Sequence, residues 1–293
     1  MRTERLSGAR SLPVFPEDRY AMVGDLRIRY WMAGNAGSPV VLIHGLGLSA
    51  EVWMFTLETL ARRRRIFVPD LPGFGRSENP AHYSTDFLVS FIDEFLKACS
   101  IDEVTLVGSS LGGGLSLLYA LAHPERVQNL VLIGSAGFGR DISAALRLLT
   151  LPVLGECVTT PSRRWTRLLL RTSVFDTSLI TAAEVTLFYK LSRLPGNQKA
   201  FLSILRSACS LGGVREEILG PIRRGLPGLV MPALLLWGDR DAVIPLRYGE
   251  KARSLMPKSS MKVLHRCGHL PPYERPDETC DAILDFLDRQ GIS

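Results

Sequence analysis

A serine stands inside Gly108-Ser109-Ser110-Leu111-Gly112, two carboxylates inside Gly238-Asp239-Arg240-Asp241, and two imidazoles inside His265-Arg266-Cys267-Gly268-His269. In chain order these are a hydroxyl, an acid and a base, the residue types that acyl transfer needs. The imidazole takes the hydroxyl's proton and passes it to a leaving group, while the carboxylate steers the ring. A further run, His44-Gly45-Leu46-Gly47, flanks one residue with glycines, so the backbone N–H of Leu46 can turn inward. Together with the N–H of Leu111 it would hold the oxyanion that serine attack creates, and losing one such donor typically costs ~10²–10³ in rate. A G-x-S-x-G also recurs by chance in glycine-rich turns, so its weight depends on what surrounds it.

What surrounds Ser110 is a buried-strand pattern at residues 104–107 and a helical pattern from Leu111 to His123, stopped by Pro124. A strand that becomes a helix so abruptly needs nearly bare flanking positions and pushes its apex residue toward strained φ/ψ. Each other polar run also follows an apolar one. Residues 40–43 precede His44, residues 233–237 precede Gly238, and residues 261–264 precede His265. In a parallel α/β sheet, functional groups collect at the carboxyl ends of strands, so these runs are expected to meet there.

Alternation over residues 20–32 predicts an antiparallel hairpin at a sheet edge after Gly24-Asp25, with Leu26, Ile28, Tyr30 and Met32 on one face and Arg27, Arg29 and Trp31 on a wet one. A helix to about Arg62, a strand at residues 66–68, a helix capped near Ser84 or Thr85, and a strand at residues 127–133 complete a βα rhythm. Residues 138–224 show helical patterns and no strand, so they read as a helical insertion before the rhythm resumes; the last helix starts at Pro276 and ends near Gly291. The expected organisation is an arm at residues 1–19, a core at 20–137 and 225–293, and a cap at 138–224.

The 293-residue chain, 46% hydrophobic and 22% charged, has an ordinary globular composition, with no apolar run near the ~18 residues of a membrane span. The basic N-terminus lacks an apolar signal core, and the five cysteines are odd in number and unpaired by spacing, so a cytoplasmic protein with free thiols is expected. A charge of +6 and the run Arg62-Arg63-Arg64-Arg65 do not make a nucleic-acid site. No aromatics interleave the run, and it reads as the solvated end of a helix. No ligand cluster calls for a metal or an organic cofactor.

Over residues 20–287 the chain resembles the α/β-hydrolase superfamily, in particular its cap-bearing esterases and lipases. The resemblance rests on His44-Gly45-Leu46-Gly47, Asp70-Leu71-Pro72-Gly73-Phe74-Gly75-Arg76-Ser77, Gly108-Ser109-Ser110-Leu111-Gly112-Gly113, Trp237-Gly238-Asp239-Arg240-Asp241, and the run from Gly268-His269-Leu270 to Pro276, in that order. It implies a mostly parallel sheet with helices on both faces, and it makes Ser110 the nucleophile, Asp241 rather than Asp239 the acid, and His269 the base. Leu46 and Leu111 become the oxyanion donors, with His44, Gly45 and Gly47 supporting the loop; Asp70 and Glu274 become loop organisers, and Cys267 a buried bystander.

The expected activity is hydrolysis of a carboxylic ester with an apolar acyl or alkyl group, through an acyl-enzyme and without cofactor. Carbon–carbon bond hydrolases of aromatic ring cleavage share the Ser-Asp-His set and a helical cap, and are the alternative. They typically carry Trp after the catalytic His, where this chain has Leu270. A non-catalytic ligand receptor on the same fold is the third reading. The insertion's arginines read as wet faces of amphipathic helices, and transient contact of the cap with a membrane or lipid surface is a further expectation. The oligomeric state is not written in the sequence.

Overall fold

The alternating segment near the N-terminus folds as expected into an antiparallel hairpin of β1 (Arg19–Val23) and β2 (Leu26–Ala33). The structure is a computed structural model and describes residues 11–291, so the outer part of the expected arm, residues 1–10, and residues 292–293 lie outside it. After the hairpin come β3 (Pro39–Ile43), a 3-10 turn at Ala50–Trp53, α1 (Leu57–Ala61), β4 (Arg65–Pro69), α2 (Thr85–Ala98), β5 (Val104–Ser109), α3 (Leu111–Ala122) and β6 (Val127–Ile133). Continuous apolar runs put β3, β5 and β6 in the middle of the sheet, where both faces are covered.

Six helices follow β6: α4 (Ala144–Leu148), α5 (Leu154–Thr159), α6 (Arg163–Ser173), α7 (Ala182–Ser192), α8 (Asn197–Ala208) and, after the two-stranded ribbon of β7 (Cys209–Ser210) and β8 (Gly213–Val214), α9 (Glu216–Gly225). The chain then returns with β9 (Ala233–Gly238), α10 (Leu246–Leu255), β10 (Ser259–Leu264), α11 (Pro271–Glu274) and α12 (Pro276–Arg289). The eight-stranded sheet runs β1-β2-β4-β3-β5-β6-β9-β10, antiparallel from β1 to β4 and parallel thereafter. One face packs on α2 and α3 through side chains such as Leu88, Phe91 and Phe95. The other packs on α1 and α12 through Leu60, Ile283 and Leu287. α2 begins as the sequence implies, with Phe87 N–H donating to Ser84 Oγ at 3.0 Å.

Four expectations are corrected. The face of β2 expected to be wet carries Arg29 at 0% and Trp31 at 1% exposure. Arg29 is enclosed by Asp18, Glu51 and Asp70, and Trp31 stacks on Phe15 with ring centroids 5.5 Å apart, so only Arg27 of that face reaches water. The helix expected up to Arg62 is broken into the 3-10 turn and α1, because Ala50 N–H and the Glu51 carboxylate are drawn into the same buried cluster. The arginine run is not a solvated helix end throughout: Arg64 is buried, and with Arg63 it is held by Asp288 of α12. The insertion also contains strand structure, the β7–β8 ribbon, closed at Gly213 with φ +97°.

Candidate active site

β5 ends directly at Ser110, and α3 starts at the next residue. Ser110 takes φ 55° and ψ −116°, a region that a non-glycine residue occupies only when its surroundings force it. Those surroundings are visible: Ser110 N–H donates to Ile133 O at 2.9 Å, and Ser110 O accepts from Ala136 N at 3.0 Å. Gly108 faces the backbone of Gly112 so closely that a Cβ would collide with the Gly112 carbonyl. Gly108→Ala is therefore expected to cost about 3 kcal/mol or more, read as a lowered midpoint in chemical denaturation.

The two candidate acids are separated by geometry. Asp239 Oδ2 lies 2.8 Å from Nδ1 of His265, which is 79% exposed, so that pair sits at the surface. Asp241 Oδ2 lies 2.8 Å from Nδ1 of His269, with both side chains buried. The other oxygen of Asp241 accepts the N–H groups of Val243 and Ile244, each at 2.8 Å. With Nδ1 turned to the carboxylate, His269 keeps Nε2 for other chemistry. Gly134, with φ +49°, packs against this pair, where a Cβ would come within 3.1 Å of His269 Nδ1 and 3.2 Å of Asp241 Oδ2. Sequence reasoning gave Gly134 no role; its position one residue past β6 was the available signal.

The loop after β3 comes against the elbow. A Cβ on Gly45 would sit 3.1 Å from Ser110 Cβ, and Gly47 bends back at φ +74°. Neither Leu46 N–H nor Leu111 N–H donates to a backbone carbonyl among the described residues, and Leu111 stands at a helix start, where N–H groups lack intrahelical acceptors. His44 is enclosed beneath this loop. Leu71 N–H donates to its Nε2 at 2.9 Å, so Nδ1 carries the proton that goes to Gly45 O at 2.8 Å. Burial lowers its pKa to about 4, so the ring is neutral at physiological pH.

His44 supplies a pH-dependent stability contribution. Its folded pKa lies below the ordinary value of 6.5, so between pH 6.5 and 4 the unfolded chain binds the extra proton and stability falls on acidification. Relative to His44→Gln, the wild type is expected to lose roughly 2–3 kcal/mol across that window. Parallel urea melts at the two pH values read the difference.

The loop's underside is a buried ion cluster, of which sequence reasoning named Asp70 as a loop organiser but missed Arg29 and Glu51. Arg29 binds both oxygens of Asp70 at 3.1 and 3.2 Å and Glu51 at 3.2 Å, and Asp70 also accepts Ala50 N–H at 2.7 Å and Arg76 N–H at 2.9 Å. A charged residue in an alternating strand usually marks the wet face, so only the carboxylates elsewhere in the sequence hinted at this arrangement. Glu274 acts as a loop organiser in the same geometric sense, accepting from Gly268 N at 2.8 Å and from Phe175 N and Asp176 N of the insertion. His269 N–H donates to Ser173 O at the end of α6, at 2.8 Å, so the insertion is stitched to the histidine loop. Cys267 is fully buried, and burial pushes its pKa up, away from thiolate chemistry.

Ser110 and His269 line one cavity of about 570 Å³ between the sheet edge and the insertion, walled mainly by residues such as Leu146, Leu149, Trp165, Leu169 and Phe201. A second, narrower space of about 90 Å³ also reaches Ser110, between α3 and α8–α9, with Leu115, Ile204, Leu205 and Ile222 on its walls. The hydroxyl thus stands where two apolar lobes meet. Among the described residues no group of three His, Cys, Asp or Glu side chains is arranged to hold a metal ion. No described helix is long and apolar enough to cross a membrane.

Comparison with known proteins adds four findings. A model of the alpha/beta hydrolase fold matches residues 38–276. A 2-hydroxy-6-oxo-2,4-heptadienoate hydrolase of Pseudomonas putida is 32% identical over 258 residues, which is 86% of this chain and 90% of that protein. Among solved structures, a meta-cleavage product hydrolase from Pseudomonas fluorescens superposes with a TM-score of 0.80 at 29% identity, covering 92% of this chain and 97% of that one. A bacterial membrane phospholipase A does so with a TM-score of 0.75 at 28% identity, covering 94% and 87%.

Proposed function

The chain belongs to the α/β-hydrolase family and is a hydrolase, and on that premise we propose that it is a serine hydrolase of apolar carboxylic esters. The observation that carries the reading is the lining of the space around Ser110, which is almost wholly aliphatic in the narrow lobe and mainly aliphatic and aromatic in the wide one. Such a site stabilises hydrocarbon and leaves a charged group without hydration, so an uncharged acyl chain fits it better than a sugar or a dianion.

In this reading His269 Nε2 takes the proton of Ser110 as its Oγ bonds to the ester carbonyl carbon, and Asp241 stabilises the imidazolium through Nδ1. Leu46 N–H and Leu111 N–H bind the oxyanion. When the oxyanion collapses, the bond to the alcohol oxygen breaks and His269 returns the proton to that oxygen. Water, deprotonated by His269, then attacks the acyl-enzyme, releasing the acid and restoring Ser110. The narrow lobe would take the acyl chain and the wide one the alcohol.

Carbon–carbon hydrolysis is the second reading, and the relatives favour it more than they favour ester hydrolysis. In that reaction the departing carbon must carry its electron pair into a conjugated carbonyl, and a dienoate of the kind the relative's name gives also bears a carboxylate, so the substrate is polar and anionic. Arg171 is the one permanently charged side chain among the described residues lining the wide lobe, and would have to meet that charge. A p-nitrophenyl ester series from acetate to palmitate, run beside a ring-fission dienoate followed by its ultraviolet absorbance, separates the two. We expect ester turnover with an optimum at short to medium acyl chains. A dienoate kcat/KM above that of every ester would replace the proposal with the carbon–carbon reading.

A further inference from the structure

Around the mouth of the wide lobe lie Leu148 of α4, Leu154 and Val158 of α5, and Leu168 of α6, all lining the cavity and 40–52% exposed. Beside them Val153 projects at 72% exposure from the turn before α5. It holds φ 67°, a left-handed conformation that a β-branched residue rarely adopts. Scattered exposed apolar side chains are normal, but here they form a continuous rim on the entrance of an apolar cavity.

The unpaired charges on this rim, among the described residues, have one sign. Arg164, Arg167 and Arg171 fall at i, i+3 and i+7 of α6, on the same side as Leu168, and none has a carboxylate partner among the described residues. Arg163 is turned aside, donating to Thr186 Oγ1 at 2.7 Å and lying over the Tyr189 ring. The nearby carboxylate of Glu156 is neutralised by Arg206. An apolar rim edged by unpaired guanidinium groups complements a surface with anionic heads over hydrocarbon, because the heads pair with arginine and the rim enters the acyl layer.

We propose that the α4–α6 rim docks on an anionic phospholipid bilayer, Val153 entering the interface, so that apolar substrate passes from the lipid into the wide lobe without crossing water. The direction of substrate entry rests on the ester-hydrolase reading, whereas docking itself does not, and the two are measured separately.

The test is flotation of the full chain with vesicles of phosphatidylglycerol and phosphatidylcholine against vesicles of phosphatidylcholine alone, with p-nitrophenyl butyrate hydrolysis in solution as the independent readout. We expect at least about tenfold tighter binding to the anionic vesicles, weakening as salt rises. Arg164→Glu/Arg167→Glu should lose about tenfold or more of that affinity, Arg164→Lys/Arg167→Lys should retain it, and Val153→Ser should lose about three- to tenfold, each with unchanged butyrate turnover. Should the charge-reversed pair not fold, the lysine pair and Val153→Ser still decide. Wild-type binding that is absent, or equal on the two vesicle types, overturns the proposal. So does anionic binding that Val153→Ser leaves intact and that DNA matches, since this would be nonspecific attraction of a cationic helix. Docking without butyrate turnover would retain the surface and remove the ester-hydrolase reading instead.

Discussion

Ser110→Ala is expected to lower kcat on the best ester by on the order of 10⁴–10⁶ while leaving the fold intact. The first half of that expectation follows from position. The side chain stands at the apex between β5 and α3, at the junction of both cavity lobes, and no other hydroxyl among the described residues lines both. Any rate remaining would come from the oxyanion donors and from binding, which survive the substitution. The second half follows from the backbone. Alanine and serine pay a similar penalty at φ 55°, and the Ser110 backbone groups keep their bonds to Ile133 and Ala136. The neighbouring Ser109 is the control. Its hydroxyl is buried without a hydrogen-bond partner among the described residues, so Ser109→Ala removes an unsatisfied polar atom and should be neutral or slightly stabilising, with kcat within about threefold of wild type. Stopped-assay kinetics and a thermal melt on both variants separate these outcomes, and a Ser110→Ala enzyme retaining more than about one per cent of kcat would defeat the serine mechanism.

These two serines show why part of the molecule was legible in the sequence. The elbow is written locally: strand, bare glycines and helix occupy adjacent positions, and steric exclusion at Gly108 acts within a few residues. The order of the strands' polar ends is local in the same way, which is why residues distant in sequence could be expected at one sheet edge. The choice between Asp239 and Asp241 is not local. Both follow β9, and spacing alone favours neither; what separates them is that one reaches an exposed imidazole and the other a buried one. Arg29 is the opposite case, where a local rule misleads. Alternation says only which residues share a face, and whether that face meets water depends on Asp70 and Glu51, which arrive from loops after β4 and β3. The breaking of the helix before α1 has the same cause, since tertiary ion pairing overrode a helical pattern there.

Asp241→Asn is expected to reduce kcat by about 10⁴, and the hydrogen-bond pattern says why so small a change should do so much. In the wild type one carboxylate oxygen accepts two backbone N–H groups, from Val243 and Ile244, and the other faces His269 Nδ1. An asparagine has one oxygen and one NH₂. Its oxygen must stay on the two backbone donors, because turning the amide would set NH₂ against N–H twice in a buried site, at a cost of about 1–3 kcal/mol per unsatisfied group. The NH₂ is then presented to His269 Nδ1, which can only accept. That moves the ring proton to Nε2, the nitrogen that should take the proton of Ser110, and the base is occupied before the reaction begins. Asp239→Asn touches the exposed pair with His265 and one long hydrogen bond from Cys267 N–H at 3.4 Å, and should leave kcat within a few-fold, since exposed ion pairs contribute little. Measuring both variants on one ester decides between the acids: a collapse at Asp239 with activity retained at Asp241 would reverse the assignment. A collapse at Asp241 with a melting temperature near that of the wild type would locate the loss in the proton's position rather than in the fold.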